Sequence, residues 1–184
     1  YPGQAGGSPL ADILFGDYNP SGSLPVTFYK SVEDLPGFED YSMSNRTYKY
    51  FRGEVLYPFG HGLSYSAFNY LNASVPPLVF TREDVCNVTV EITNASGREG
   101  EEVIQVYASK ENAGSFRPLK MLVGFQKVLL RAGEIRQVAV PVQIRQMQYY
   151  DPQVQDYRVE PGMYTLLVGS SSEDIRLRVP VEVH

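Results

Sequence analysis

The sequence predicts a mainly β protein: a two-sheet sandwich of about seven strands, preceded by a short helix, a lone strand and an aromatic-rich connector. Three observations carry that prediction. Stretches of alternating apolar and polar residues recur through the second half of the chain at the spacing of sandwich strands. Turn formers are plentiful, with 13 Pro and 16 Gly, while helical periodicity is scarce. The clearest helical signal lies close to the start, with no second helix nearby to pack on it. A chain of 184 residues suffices for one domain with a sizeable core and some residues over. The reading divides it into residues 1–29, 30–65 and 66–184.

The chain opens YPGQAGGSPLADILFGDYNPSGSLPVTFY. No Met precedes Tyr1 and no signal-peptide pattern follows, so further sequence is expected upstream. Ser8 is placed to cap a helix whose first residue is Pro9, with Leu10, Ile13 and Leu14 as its apolar stripe and Gly16 as its stop. NPSG at 19–22 is turn chemistry, and Leu24, Val26 and Phe28 then alternate on one side of a strand. So short a helix and a single strand cannot bury enough surface to stand alone. The segment reads as the C-terminal remnant of an α/β domain whose other strands lie elsewhere.

Residues 30–65 lack sustained periodicity but are dense in rings: Phe38, Tyr41, Tyr48, Tyr50, Phe51, Tyr57, Phe59 and Tyr65. A flexible linker is poor in aromatics, so this is an ordered connector lying against a surface. From residue 66 the strands follow one another. AFNYLNASV at 67–75 is the first. CNVTVEIT then turns Cys86, Val88, Val90 and Ile92 to one face and Asn87, Thr89 and Glu91 to the other. Residues 101–109, 121–130 and 135–142 are further strands, with a turn at 132–134. MYTLLVG and IRLRVPVEV close the chain around the polar turn SSSED. In the last strand Ile175, Leu177, Val179, Val181 and Val183 alternate without a break, and Pro180 suits an edge position. The strand count matches an immunoglobulin-like or fibronectin type III-like sandwich, with Tyr164 as a candidate corner tyrosine.

A net charge of −5 and the absence of any basic stripe exclude nucleic acid as a partner. No apolar run approaches the about 20 residues of a membrane-spanning helix, so no membrane partner is expected. The single cysteine, Cys86, cannot form a disulfide within the chain, and His61 and His184 stand too far apart to suggest a metal site. No cofactor is called for. Four asparagines lie in N-x-S/T sequons, Asn45, Asn72, Asn87 and Asn94, which favours a secreted or extracellular glycoprotein, periplasmic if bacterial.

Candidate chemistry is thin. The glycines of PGQAGG fit neither a dinucleotide fingerprint nor a P-loop, and a tight turn accounts for them. The carboxylate pairs Glu33/Asp34, Glu39/Asp40, Glu83/Asp84, Glu101/Glu102 and Glu173/Asp174 fall at turns and strand starts, where solvated surface is the ordinary role. Only Glu39/Asp40 has an aromatic setting. His61 has no serine or cysteine nucleophile context to serve, and Cys86 reads as a small buried hydrophobe.

Against these motifs a resemblance stands out. YPGQAGG followed by LADILFGDYNPSGSLPVTFY resembles the end of the α/β sandwich domain of glycoside hydrolase family 3. RTYKYF with LYPFGHGLSY is similar to the connector that follows it. RPLKMLVGFQKVLLRAGE with YTLLVGSSSEDIRL resembles that family's C-terminal fibronectin type III-like domain. The resemblance implies a retaining exo-glycosidase whose nucleophile lies in an N-terminal (β/α)8 barrel and whose acid/base lies upstream in the α/β domain. No catalytic residue is therefore carried onto this chain. What it does imply is a loop at the active-site edge formed by Gly3, Gln4, Ala5 and Gly6. The partners implied are the barrel and α/β domains of the same enzyme and a xylo- or gluco-oligosaccharide substrate. YPGQAGG is more similar to the β-xylosidase branch than to the β-glucosidases. The competing reading, from another class, is a non-catalytic carbohydrate-binding or structural sandwich module.

Overall fold

The computed structural model describes residues 3–76, 79–111 and 117–184, so Tyr1 and Pro2 of the opening motif lie outside the described residues. The core is a sandwich. One sheet has three strands in the order β3 (Phe68–Ser74), β5 (Val85–Asn94), β8 (Ile135–Gln143). The other has five in the order β4 (Val79–Phe80), β12 (Ile175–Val183), β11 (Gly162–Gly169), β6 (Gly100–Lys110), β7 (Met121–Leu130). Neighbours are antiparallel except for β4, which runs parallel to β12 at its last two residues. A separate hairpin pairs β9 (Tyr149–Asp151) with β10 (Asp156–Arg158), an element the periodicity did not announce.

The predicted alternation decides which side chains meet. On β5, Cys86, Val88, Val90 and Ile92 point inward and are buried, while Asn87 is exposed. They face Ile104, Val106 and Ala108 of β6 and Leu166 and Val168 of β11 across the core. Each such aliphatic side chain contributes about 1.5–3 kcal/mol by leaving water. Burial pushes the Cys86 thiol up to about 11, so it is an inert packing group. Pro180 pairs with Thr165 on the β11 side, and β4 reaches only Glu182 and Val183, so β12 is an edge at the proline. Tyr164 donates its hydroxyl to the Glu160 carbonyl at 2.7 Å, the geometry of a corner tyrosine, and burial raises it to about 12.

β6 departs from simple alternation. Five consecutive residues, Ile104–Ala108, are buried, because its outer face is covered as well. The cover is the connector. In it, a helical turn α2 (Thr47–Tyr50) and a short strand β2 (Val55–Tyr57) lead into the Pro58–Gly62 loop. Tyr48 stacks on Phe59 with ring centroids 4.3 Å apart and meets Tyr107 of β6 edge-on at 5.8 Å. Its hydroxyl accepts from the Leu122 amide at 3.0 Å. Beneath them Gln105, only 3% exposed, donates to the carbonyls of Gly60 at 3.0 Å and Ser170 at 2.5 Å, and accepts from the Tyr107 hydroxyl at 2.6 Å. Gly60 has φ +83°, and a Cβ there would lie 2.0 Å from the Gln105 Oε1, so no side chain fits. Not every ring of the connector packs: Phe38 and Tyr41 are 94% and 87% exposed.

The opening segment corrects two expectations. The helix α1 spans Gly7–Phe15, with Gly6 at its N-cap and no side-chain cap. Ser8 lies inside it. Its amide bonds the Ala5 carbonyl, so the Gly3–Gly6 turn runs into the helix through backbone bonds alone. Gly16 ends α1 as predicted, in the left-handed conformation at φ 82°. The lone strand finds a partner in the connector. Ser23 bridges Gly62, Leu24 exchanges backbone bonds with His61 and Gly60, and β1 (Phe28–Tyr29) pairs with β2. A bend at Pro25–Val26 breaks the period of two. Leu24, Thr27 and Tyr29 are therefore half-buried, whereas Val26 and Phe28 of the predicted apolar face are 50% and 45% exposed. On α1 itself no residue is buried, and Leu10, Leu14 and Phe15 are exposed.

Candidate active-site-edge loop

The loop implied at the active-site edge is a tight turn closed by the Gly6 amide on the Gly3 carbonyl at 3.0 Å. Gly3, Gln4 and Ala5 are exposed and Gly6 is half-buried. The turn and α1 are continuous, so the loop goes where the helix goes.

The far end of α1 is tied to the sandwich by polar groups. The Tyr65 hydroxyl donates to the Ile13 carbonyl at 2.7 Å, and Arg98 Nη2 donates to the Gly16 carbonyl at 3.1 Å. The Ile13 carbonyl thereby takes a second bond beside the one from the Gly16 amide at 3.1 Å, and the guanidinium on the Gly16 carbonyl suits the negative end of the helix. Arg98 also lies over the Tyr65 ring, 5.4 Å from its centroid. Just beyond, Asn19 is a four-bond hub. Its Nδ2 donates to Ser66 Oγ at 2.9 Å and to the Glu99 carbonyl at 3.0 Å. Its Oδ1 accepts from Ser64 Oγ at 3.1 Å and from the Tyr65 amide at 2.8 Å. The full hydrogen-bonding capacity of an asparagine amide is used.

Beside this hub lies a polar crevice of about 320 Å³, walled by Ser21–Ser23, Gly62–Ser64 and the outer ends of β3, β6 and β12. It brings together two carboxylates that the sequence placed 72 positions apart in separate pairs, Glu102 and Asp174. Burial pushes Glu102 above the usual carboxylate range, against the Tyr70 hydroxyl that donates to it at 2.8 Å. The paired Arg176 guanidinium holds Asp174 below that range, aided by Ser170. Glu101 is held low by Lys127 and Ser21. Asp174 is thus committed to an ion pair, and Glu102 is a half-buried hydrogen-bond acceptor joining the two sheets.

The remaining candidates stand apart from one another. Glu39 and Asp40 are exposed, and Asp40 is held low by the Ser42 amide within its own turn. The Asp84 carboxylate takes the Thr81 amide at 2.6 Å. His61 lies tilted on Tyr57 at 5.2 Å and borders an apolar groove with Ile13, Leu24 and Leu63. Among the described residues no group of three or more His, Cys, Asp or Glu side chains is placed to hold a metal ion.

Of the sequons, Asn45, Asn72 and Asn87 are exposed. Asn94 is a correction: it is fully buried, its Nδ2 donating to the carbonyls of Arg98 at 2.8 Å and Leu130 at 3.1 Å. Its amide nitrogen has neither a free hydrogen nor room for a glycan in the folded chain.

The residues that sequence reasoning passed over are Asn19, Tyr65, Arg98 and Gln105. No local signal separates a turn asparagine from a hub when its side-chain partners lie 45 to 80 positions away.

With this geometry in place, comparison with known proteins defines the class. Residues 1–65 match the family model for the glycosyl hydrolase family 3 C-terminal domain, and residues 102–172 match that for a fibronectin type III-like domain. The chain belongs to glycosyl hydrolase family 3, of whose C-terminal part it carries both components. A xylan 1,4-beta-xylosidase of Xylanibacter ruminicola is 42% identical over 178 residues, covering 97% of this chain and 20% of that protein. A periplasmic beta-glucosidase of Salmonella typhimurium is 36% identical, covering 96% of this chain and 24% of that protein. Among solved structures, DesR, a beta-glucosidase from Streptomyces venezuelae in complex with D-glucose, superposes with a TM-score of 0.84 at 34% identity, over 100% of this chain and 25% of DesR. The chain thus spans between a fifth and a quarter of the length of these relatives.

Proposed function

We propose that the chain is the C-terminal part of a retaining, exo-acting β-D-xylosidase that removes terminal sugars from plant cell-wall oligosaccharides. It would support the site without supplying the catalytic carboxylates. The observation that carries this reading is the uncovered opening segment: α1 buries none of its residues, and Leu10, Leu14, Phe15, Val26 and Phe28 stand exposed within residues 1–65, which match the family 3 C-terminal domain model. An apolar face of this kind is normally covered by protein. Its cover here would be the rest of the α/β domain, with the barrel beyond it. The xylosidase-named relative, at 42% identity against 32–39% for glucosidase-named ones, supports xylose as the preferred sugar. A retaining pair needs its carboxyls about 5–5.5 Å apart around an open site. Asp174 is neutralised by Arg176, and Glu102 is tied to Tyr70, so neither is free for that chemistry.

Aryl β-xyloside and aryl β-glucoside hydrolysis, measured for the 184-residue chain and for a full-length protein, tests the reading. The expected result is turnover by the full-length protein alone, with xyloside preferred. Turnover by the short chain refutes the assignment of the carboxylates elsewhere, and a glucoside preference replaces xylosidase by β-glucosidase. Binding of xylan or cellulose by the short chain, without turnover in either protein, would favour the carbohydrate-binding module. We also propose export to the periplasm or cell exterior, supported by the exposed sequons at Asn45, Asn72 and Asn87.

A further inference from the structure

We propose that Asn19 is a positioning residue: it sets the angle of α1 against the sandwich and thereby the place at which the Gly3–Gly6 loop is presented. The activity arm of the test below rests on the glycoside hydrolase reading. The structural arm does not.

Three features lead to Asn19. First, α1 has no fully buried residue, and of its side chains only Ala11 and Ile13 are even half-buried, so apolar packing against the described residues gives its direction little support. What holds it is polar and concentrated at its C-terminal end: Tyr65 on the Ile13 carbonyl, Arg98 on the Gly16 carbonyl, and the Asn19 hub three residues on. Second, Asn19 joins the pieces that carry those two contacts. Its Oδ1 holds the Tyr65 amide, and its Nδ2 holds the Glu99 carbonyl next to Arg98. Losing its amide therefore loosens both other ties. Third, the site is built for a close approach. A Cβ on Gly100 would lie 2.7 Å from the Asn19 Nδ2 and 2.6 Å from Ser66 Oγ, so the start of β6 is packed hard against the hub.

The consequence follows from leverage. A 9-residue helix is about 13 Å long, so a tilt of about 5° at its anchored end carries the loop about 1 Å. Hydrogen-bond distances span only about 2.7–3.2 Å, so a displacement of about 1 Å would break a contact between the loop and bound substrate, a loss that is read in KM.

The experiment compares wild type with Asn19→Ala, Asn19→Asp and the milder Tyr65→Phe, which keeps the ring beneath Arg98. In the 184-residue chain, amide hydrogen exchange is read at Ile13–Phe15 and, as an internal reference, at Val88–Ile92 of β5. The expected result is at least tenfold less protection in α1 for Asn19→Ala with β5 unchanged. Asn19→Asp, which keeps the two bonds that Oδ1 accepts and loses the two that Nδ2 donates, and Tyr65→Phe should fall between it and wild type. In the full-length protein Asn19→Ala should raise KM for aryl glycosides at least tenfold while kcat changes less than threefold, and Asn19→Asp should recover part of the loss. Parallel loss of protection in α1 and β5 shows a merely structural residue and overturns the proposal. So does unchanged protection in α1, or unchanged KM once α1 protection has dropped. If the full-length wild type hydrolyses neither glycoside, the functional reading fails while the exchange result still decides the role of Asn19.

Discussion

Replacing Gln105 by Leu tests how the connector is held. The side chain is 3% exposed and makes three hydrogen bonds, to the Gly60 and Ser170 carbonyls and from the Tyr107 hydroxyl. Leucine fills a similar volume but leaves those three groups without their partner. Each buried polar group so orphaned costs about 1–3 kcal/mol, with relaxation favouring the low end. Leucine burial returns about 1–2 kcal/mol of transfer energy relative to the amide. The net expectation is a loss of about 2–4 kcal/mol. At a urea slope of about 2 kcal/mol/M the midpoint falls by about 1–2 M with the slope unchanged. Equilibrium urea unfolding followed by tyrosine fluorescence measures this. Hydrogen exchange should locate the loss in Val55–Gly62 and in Ser23–Tyr29, which hang on the Gly60–His61 backbone. A loss under about 1 kcal/mol, or protection lost evenly across β5 and β8, would refute the idea that a buried polar lock docks the connector.

Three further outcomes follow from the same structure. Tyr48→Phe keeps the stack on Phe59 but removes the acceptor for the Leu122 amide, and should cost about 1–2 kcal/mol in urea unfolding, while Tyr48→Ala should cost about 3–5. Glu102 carries a raised pKa, so the folded state holds its proton more tightly than the unfolded chain does, and its ionisation lowers stability as pH rises from about 4.3 through the folded value. Glu102→Gln should therefore raise Tm at pH 7 relative to wild type and leave it nearly unchanged at pH 4. Expressed through a secretory pathway, the chain should carry glycans at Asn45, Asn72 and Asn87 but none at Asn94, read as mass loss on enzymatic deglycosylation of single-sequon variants.

Local pattern and tertiary structure divide this protein along a physical line. A strand's alternation is written in neighbouring residues, so the inward faces of β5 and β12, the edge proline Pro180 and the corner role of Tyr164 were legible before any coordinates. Gly16 as the end of α1 was equally legible, because a left-handed residue is a local requirement. Other features depend on partners far along the chain. That β6 is covered on both faces follows from Tyr48 and Phe59 arriving from the connector. That Asn94 is an internal brace rather than a sequon for glycan follows from Arg98 and Leu130 closing on it. The Leu24–Phe28 strand lost its predicted apolar face because Pro25–Val26 bends it onto residues 55–62, a pairing no periodicity encodes. Sequence alone determined which residues are apolar, the alternation of the long strands and so the sandwich itself. Only the tertiary structure decided which polar side chains became buried links, because a hydrogen bond depends on distance and angle between groups that lie far apart along the chain.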